Sequence, residues 1–364
     1  VERNGNFALS NGLVSAVISS SGQLVSLTSG ADTKRDVFVT AGGKQLAGNK
    51  LLLFDDQPLY WDAWDIMDYH LETETCLNND AVSTPVKIVE NNSLRCSLSW
   101  GCKVGRTSSL QQEISLTADC PYITFHTTVD WSENHKLLKV GFDTSIQTTN
   151  ATYDTQFGSL KRSTTVNTSW DSARYEVCGH KWADLSEPGW GVSVLNESKF
   201  GWSGRDSSLT LTLLKSPKAP DDTCDMRQHS FAYAIMPHTG TVEESSVVQR
   251  GYEFNNPLKF EMLPSDAVAA ESSRSWCSIE GEGVVLHTVK PAEDGSGDLV
   301  LRLFESKGTR SSARVELLLP VRAVRECNGM EDPGDEVDFT QNADAIIIPV
   351  NLTPFKIFAL RLSF

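Results

Sequence analysis

A period of two constrains this chain more than any other feature. FALSNGLVSAVIS, SLRCSLSW, LQQEISLTA, YITFHTTVDW, SLTLTLLKS, ARVELLLPV and FKIFALRLSF are short, β-branched or alternating apolar with polar residues, and Gly, Asn, Asp, Ser and Pro separate them. Side chains of an extended strand point to opposite faces in turn, so such a run is amphipathic only as a strand. The helical period is nearly missing. Its best representative, around Ala267–Ser275, is short and rich in serine. Many short strands with turn residues between them predict an all-β fold built of antiparallel sandwiches rather than a parallel α/β sheet.

At 364 residues the chain exceeds what one hydrophobic core usually serves, so two domains are expected. The stretch NNPLKFEMLPSDAVAAESS at 255–273 contains two prolines and loses strand periodicity. The expected division is a large β-domain over 1–262 and a small terminal sandwich over 263–364. The opening VERNGNFALS lacks both an initiating methionine and the basic-then-apolar profile of a signal peptide, and reads as part of something longer.

A formal charge of −15 makes the surface repel phosphate backbones and anionic headgroups, so nucleic acid is not an expected partner. No run of about eighteen apolar residues suggests a membrane span. Eight cysteines, at 76, 96, 102, 120, 178, 224, 277 and 327, show no CxxC and no repeated spacing. Reduced thiols in a cytoplasmic setting fit them better than a disulfide framework. Sequons at Asn91, Asn150, Asn167, Asn196 and Asn351 pull toward secretion, and leave a vacuolar or lysosomal location as the alternative.

Several chemistries lack their residues. GVS at 191–193 and GWSG at 201–204 break the Gly-x-Ser-x-Gly spacing of a nucleophile elbow. GEG at 281–283 and GSG at 295–297 lack the later glycine and the helix of a phosphate loop. The seven histidines form no HxxxH pair and no Cys/His cluster at zinc spacing. Glycoside hydrolysis needs two carboxyls flanking one bond, and 47 acidic residues do not reveal which two would meet.

Two stretches set acids beside aromatic rings, the combination a sugar pocket requires, because sugars present apolar C–H faces next to hydroxyl edges. In PLYWDAWDIMDYH at 58–70, an extended Pro58–Trp64 would place Tyr60, Asp62 and Trp64 on one face. In RYEVCGHKWADLSEPGWG at 174–191, His180, Trp182 and Asp184 would share a strand face. A core strand with solvated aspartates is the competing reading of both.

Longer blocks carry a resemblance. FDDQPLYWDAWDIMDYHLE at 54–72, the stretch at 151–187, GVSVLNESKFGWS at 191–203, LLKSPKAPDDTCDMRQHSFAYAIMPH at 213–238, HTVKPAEDGSGDLVLRLFE at 287–305 and the terminal TPFKIFALRLSF resemble, in order, the C-terminal β-region of glycoside hydrolase family 38 α-mannosidases of the cytosolic and vacuolar type. The resemblance implies a mutarotase-like β supersandwich followed by a small sandwich. It also implies an activity, retaining hydrolysis of terminal α-D-mannosyl residues of oligosaccharides in N-glycan catabolism.

In that family the aspartate nucleophile, the general acid and the ligands of a catalytic zinc lie in an N-terminal α/β domain, which is followed by a three-helix bundle. No catalytic or metal-ligating residue is therefore expected in this chain, and zinc is expected outside it. The implied partners are mannose-containing oligosaccharides, the N-terminal catalytic domain of the same polypeptide and, within an assembly, further copies of the chain. Tyr60, Asp62 and Trp64 become candidates for a loop tip reaching the substrate, as do His180, Trp182 and Asp184. Tyr153, Asp154 and Gln156 are candidates for the same edge, and Arg174 with Glu176 for a structural pair. The alternatives are a carbohydrate-binding module acting alone and a structural or oligomerisation module.

Overall fold

The computed structural model describes residues 2–3, 5–30, 32–39, 43, 45–262, 275–342 and 345–364. The chain forms two compact units, one of Val1–Asp154 with Leu160–Pro257, the other of Thr155–Ser159 with Leu258–Phe364. The helical candidate at 267–275 and the start of the expected terminal domain at 263 fall largely on 263–274, outside the described residues.

Among the described residues a five-stranded sheet, a six-stranded sheet and most of a nine-stranded sheet belong to the first unit. The nine-stranded sheet runs in the spatial order Gly158–Ser163, Asn150–Thr155, Trp182–Glu187, Trp190–Asn196, Arg227–Thr239, Ile123–Trp131, Ser108–Thr117, Arg95–Val104 and Val82–Asn91. Alternation decides which side chains form the core. In Ile123–Trp131, residues Ile123, Phe125, Thr127, Val129 and Trp131 are buried while His126 and Asp130 face solvent. Trp100, Trp131, Trp202, Phe125, Phe142 and Tyr233 fill one cluster fed by all three sheets.

Arg227–Thr239 departs from alternation, because both of its faces are covered. Phe231, Tyr233 and Ile235 enter the main core, whereas Ala234 and Met236 join Trp182, Leu195, Val242 and Val247 in a second cluster. The helix Val247–Asn255 packs over this second cluster, on the strands Trp182–Glu187 and Trp190–Asn196. Central strands buried on both faces read as continuous apolar runs. FAYAIMP has that form.

FALSNGLVSAVIS becomes two strands, Asn6–Ser10 and Val14–Ile18. Asn11 Oδ1 accepts the N–H groups of Leu13 (2.9 Å) and Val14 (3.0 Å), and Gly12 takes φ +87°, which a residue without Cβ adopts freely.

The second unit pairs a four-stranded with a five-stranded antiparallel sheet. Leu301, Leu303, Val315, Leu317, Ile346, Ile348, Leu360 and Leu362 fill the space between them. Glu305 is fully buried, and accepts the N–H groups of Lys307, Gly308, Thr309 and Phe355 at 2.8–3.2 Å. A carboxylate ringed by backbone donors organises that loop.

Candidate functional site

Residues 56–67 form an irregular loop between the strand Lys50–Asp55 and the 3₁₀ turn Asp68–Thr73, not the extended segment that alternation predicts. Trp61 has φ +59°, and its carbonyl accepts the N–H groups of Trp64 (2.8 Å) and Asp65 (2.9 Å). Side chains consequently separate by a turn rather than a pleat. Tyr60, Trp61 and Trp64 stand 73, 67 and 76 % exposed, and the two indoles lie 5.3 Å apart at 38°. Asp62 turns inward instead: its Oδ2 accepts the N–H groups of Lys218 and Ala219.

Beneath the loop, Asp56 is buried and receives the Lys215 ammonium, which also donates to the carbonyl of Asp65 at 2.8 Å. Burial pushes the Asp56 carboxyl upward and Lys215 pulls it back, with burial prevailing. The Tyr175 hydroxyl donates to the carbonyl of Ile66, tying down the far end of the loop. Beside it lies a concavity of about 480 Å³ lined by Asp55, Gln57, Thr107, Glu133, His135 and Lys136. Exposed rings can stack on a sugar face, and polar groups such as those of the hollow can hydrogen-bond its edge.

His70 props the loop from below. It is 1 % exposed, its Nδ1 lies 2.7 Å from the carbonyl of Met67, and its ring meets Phe54 edge-on at 5.1 Å. Burial, and then the Lys139 ammonium, hold its pKa below the ordinary histidine value; Glu176 opposes them and Arg205 adds to them. The folded state therefore binds fewer protons than the unfolded one in the window below about pH 6.5, and stability falls as the pH falls through it. His70→Phe is expected to lower the melting temperature at neutral pH. It should also shrink the wild-type loss between about pH 7.5 and 5.5, and an unchanged loss would show that other groups carry it.

The second predicted set does not assemble. His180 lies before the strand Trp182–Glu187, half-buried against Phe200 at 5.1 Å. Trp182 is 2 % exposed, inside the second core cluster. Asp184, 1 % exposed, accepts the hydroxyls of Ser186 and Ser193 and faces His238 Nε2 at 2.8 Å. Alternation did put Trp182 and Asp184 on one face. The helix Val247–Asn255 packs over Trp182, and Ser193 and His238 enclose Asp184, coverings that periodicity does not reveal.

Tyr153 is also core, and Asp154 is a buried partner of Lys181, while Gln156 is exposed. Arg174 and Glu176 are not paired with each other: Arg174 lies 4.0 Å from Asp171, and Glu176 binds the buried Lys139 and Thr212. Asn196, one of the sequons, is fully buried.

Two residues were missed. Trp61 completes the indole pair, but a strand reading sends it to the opposite face. His135 stands in an Asn-His turn with no neighbouring motif, and its place beside Asp62 arises only from tertiary contact. Among the described residues no three His, Cys, Asp or Glu side chains converge so as to hold a metal ion, which does not fit a zinc site. All eight cysteines are free thiols, and among the described residues no helix is long and apolar enough to cross a membrane.

Antiparallel sandwiches that carry an exposed aromatic loop define the class as an all-β sandwich protein. Residues 9–223 match the glycosyl hydrolases family 38 C-terminal domain, and residues 283–360 that family's C-terminal beta sandwich domain. The chain belongs to glycosyl hydrolase family 38. It is 41% identical to alpha-mannosidase 2C1 of Homo sapiens and 38% identical to alpha-mannosidase G of Dictyostelium discoideum, in each case over 99% of its own length. It spans about a third of those relatives, 34% and 33% respectively. A family 38 protein from Enterococcus faecalis shares the fold over 100% of this chain and 44% of its own, with TM-score 0.77 at 14% identity.

Proposed function

We propose that this chain is the C-terminal β-region of a retaining α-mannosidase that removes terminal α-D-mannosyl residues from oligosaccharides. The observation that carries this reading is 41% identity, sustained over 99% of the chain, to a protein named alpha-mannosidase. The nucleophile, the general acid and the zinc ligands belong to polypeptide outside this chain. Tyr60, Trp61 and Trp64 form one wall of the cleft, and the held carboxylate of Asp62 fixes the loop that carries them. Their contribution is orientation, because displacing a substrate by about 1 Å can cost on the order of a hundredfold in rate. Reduced thiols and a buried Asn196 sequon support a cytoplasmic location.

The test compares an aryl α-mannoside with the chain alone and with the complete enzyme. Turnover is expected only from the complete enzyme, and turnover by the chain alone would refute the assignment of catalytic groups. In the complete enzyme, Trp64→Ala should lower kcat/KM about tenfold, the loss of one stacking ring worth ~1–1.5 kcal/mol. It should leave the melting temperature nearly unchanged, as surface substitutions usually do. The same exposed rings favour an alternative, a carbohydrate-binding module acting alone. Calorimetric binding of mannobiose by the isolated chain at millimolar or lower concentration would select it.

A further inference from the structure

His135 is held in a conformation that non-glycine residues rarely adopt. Its φ is +50°, and two backbone hydrogen bonds maintain it: its N–H donates to the carbonyl of Ser216, and its carbonyl accepts the N–H of Asp56, both at 2.9 Å. Holding such a backbone costs about 1 kcal/mol or more, which surrounding structure must impose, and residues of this kind concentrate at ligand sites. His135 Nδ1 and Asp62 Oδ1 are both buried, neither has a hydrogen-bond partner, and they face each other at 3.6 Å. The imidazole is 36 % exposed and lines the 480 Å³ concavity, so with Nδ1 buried its open edge carries Nε2.

The geometry points to His135 as a substrate-contacting residue: Asp62 orients its ring, and its Nε2 accepts a hydroxyl hydrogen of a neutral hexose seated in the concavity that Gln57 of the loop also lines. The inference rests on the reading that the 56–67 loop faces substrate. Asp62 is thus a positioning residue. Its carboxylate is fixed by the N–H groups of Lys218 and Ala219, and its remaining oxygen favours the proton on Nδ1, leaving Nε2 as an acceptor. Gln57 and Asn134 line the same hollow and supply amide donors and acceptors for neighbouring hydroxyls.

The experiment uses the complete enzyme with an aryl α-mannoside, reading kcat, KM and melting temperature. Asn tolerates the left-handed backbone but ends short of the hollow, so His135→Asn is expected to raise KM about tenfold with kcat within about twofold, the loss of one hydrogen bond. His135→Gln restores an acceptor at greater reach and should recover most of the loss. Asp62→Asn keeps an oxygen for the N–H groups of Lys218 and Ala219 that hold the loop, so if Asp62 acts through His135 it should raise KM by less, and the double variant should be no worse than His135→Asn alone. Equal effects of His135→Asn and His135→Gln, or additive effects in the double variant, would overturn the proposal.

Trp64→Ala separates the two readings. A damaging Trp64→Ala with an inert His135→Asn overturns this inference alone. An inert Trp64→Ala with a raised KM in His135→Asn supports the contact and removes the loop's aromatic role. Inertness of both overturns both.

Discussion

Gln112→Ala is expected to cost the chain on the order of 4 kcal/mol, read as a fall in the urea midpoint with an unchanged slope. Gln112 is 2 % exposed and sits at the centre of a polar network inside an otherwise apolar core. Its Oε1 accepts Asn49 Nδ2 (2.7 Å) and Trp100 Nε1 (3.0 Å). Its Nε2 donates to Thr127 Oγ1 (2.9 Å) and to the Tyr233 hydroxyl (2.8 Å), which donates in turn to Asn49 Oδ1 at 2.6 Å.

Truncation strands the Trp100 indole N–H without an acceptor and leaves Asn49 Nδ2 only its bond to the carbonyl of Gly22, while Asn49 Oδ1 keeps the Tyr233 hydroxyl. Each buried group deprived of its partner costs about 1–3 kcal/mol, and the vacated volume adds to the loss because the surrounding rings cannot collapse into it. The exposed neighbour Gln111 is the control. Gln111→Ala should change stability by less than about 0.5 kcal/mol. A loss below about 1 kcal/mol in Gln112→Ala would mean that water replaces the amide, and that the network does not hold the sheets in register.

That network also shows what a sequence of this kind conceals. Asn49, Trp100, Gln112, Thr127 and Tyr233 come from separate segments, and each alone is an ordinary polar or aromatic residue of a β-protein. The all-β architecture was legible because alternation is a local property. Ile123–Trp131 displays it residue by residue, and the structure buries the predicted face. Alternation does not say whether a second layer covers the other face. Hence Trp182, read as a possible pocket wall, is closed by the helix Val247–Asn255, and Asp184 by Ser193 and His238.

The 58–70 stretch was legible in composition and not in conformation. Its exposed rings and acidic residues are those a carbohydrate surface needs, but the strand reading assumed a ladder partner for Pro58–Trp64. The backbone instead turns at Trp61, and Asp62 caps the peptide groups of Lys218 and Ala219. His135 reaches Asp62 through tertiary contact alone, so no spacing in the chain could have paired them.

Asp184→Ala is expected to destabilise the chain by about 3–5 kcal/mol, and so to remove activity by loss of fold rather than by loss of chemistry. The carboxylate holds two hydroxyls and the imidazole of His238, itself only 5 % exposed, so deletion leaves the buried Ser193 and His238 and the half-buried Ser186 with their common acceptor gone. Asp184→Asn keeps one carbonyl oxygen for this purpose and should lose about half as much. The contrast with the loop is the informative measurement. In the complete enzyme, Asp184 variants should lower melting temperature and active fraction together while the KM of the surviving fraction stays at wild type, whereas Trp64→Ala should change kcat/KM without moving the melt. If Asp184→Asn kept wild-type stability and raised KM, the buried strand face would have to open onto substrate, and the enclosure of Asp184 by Ser193 and His238 would be a closed state rather than the core of the unit.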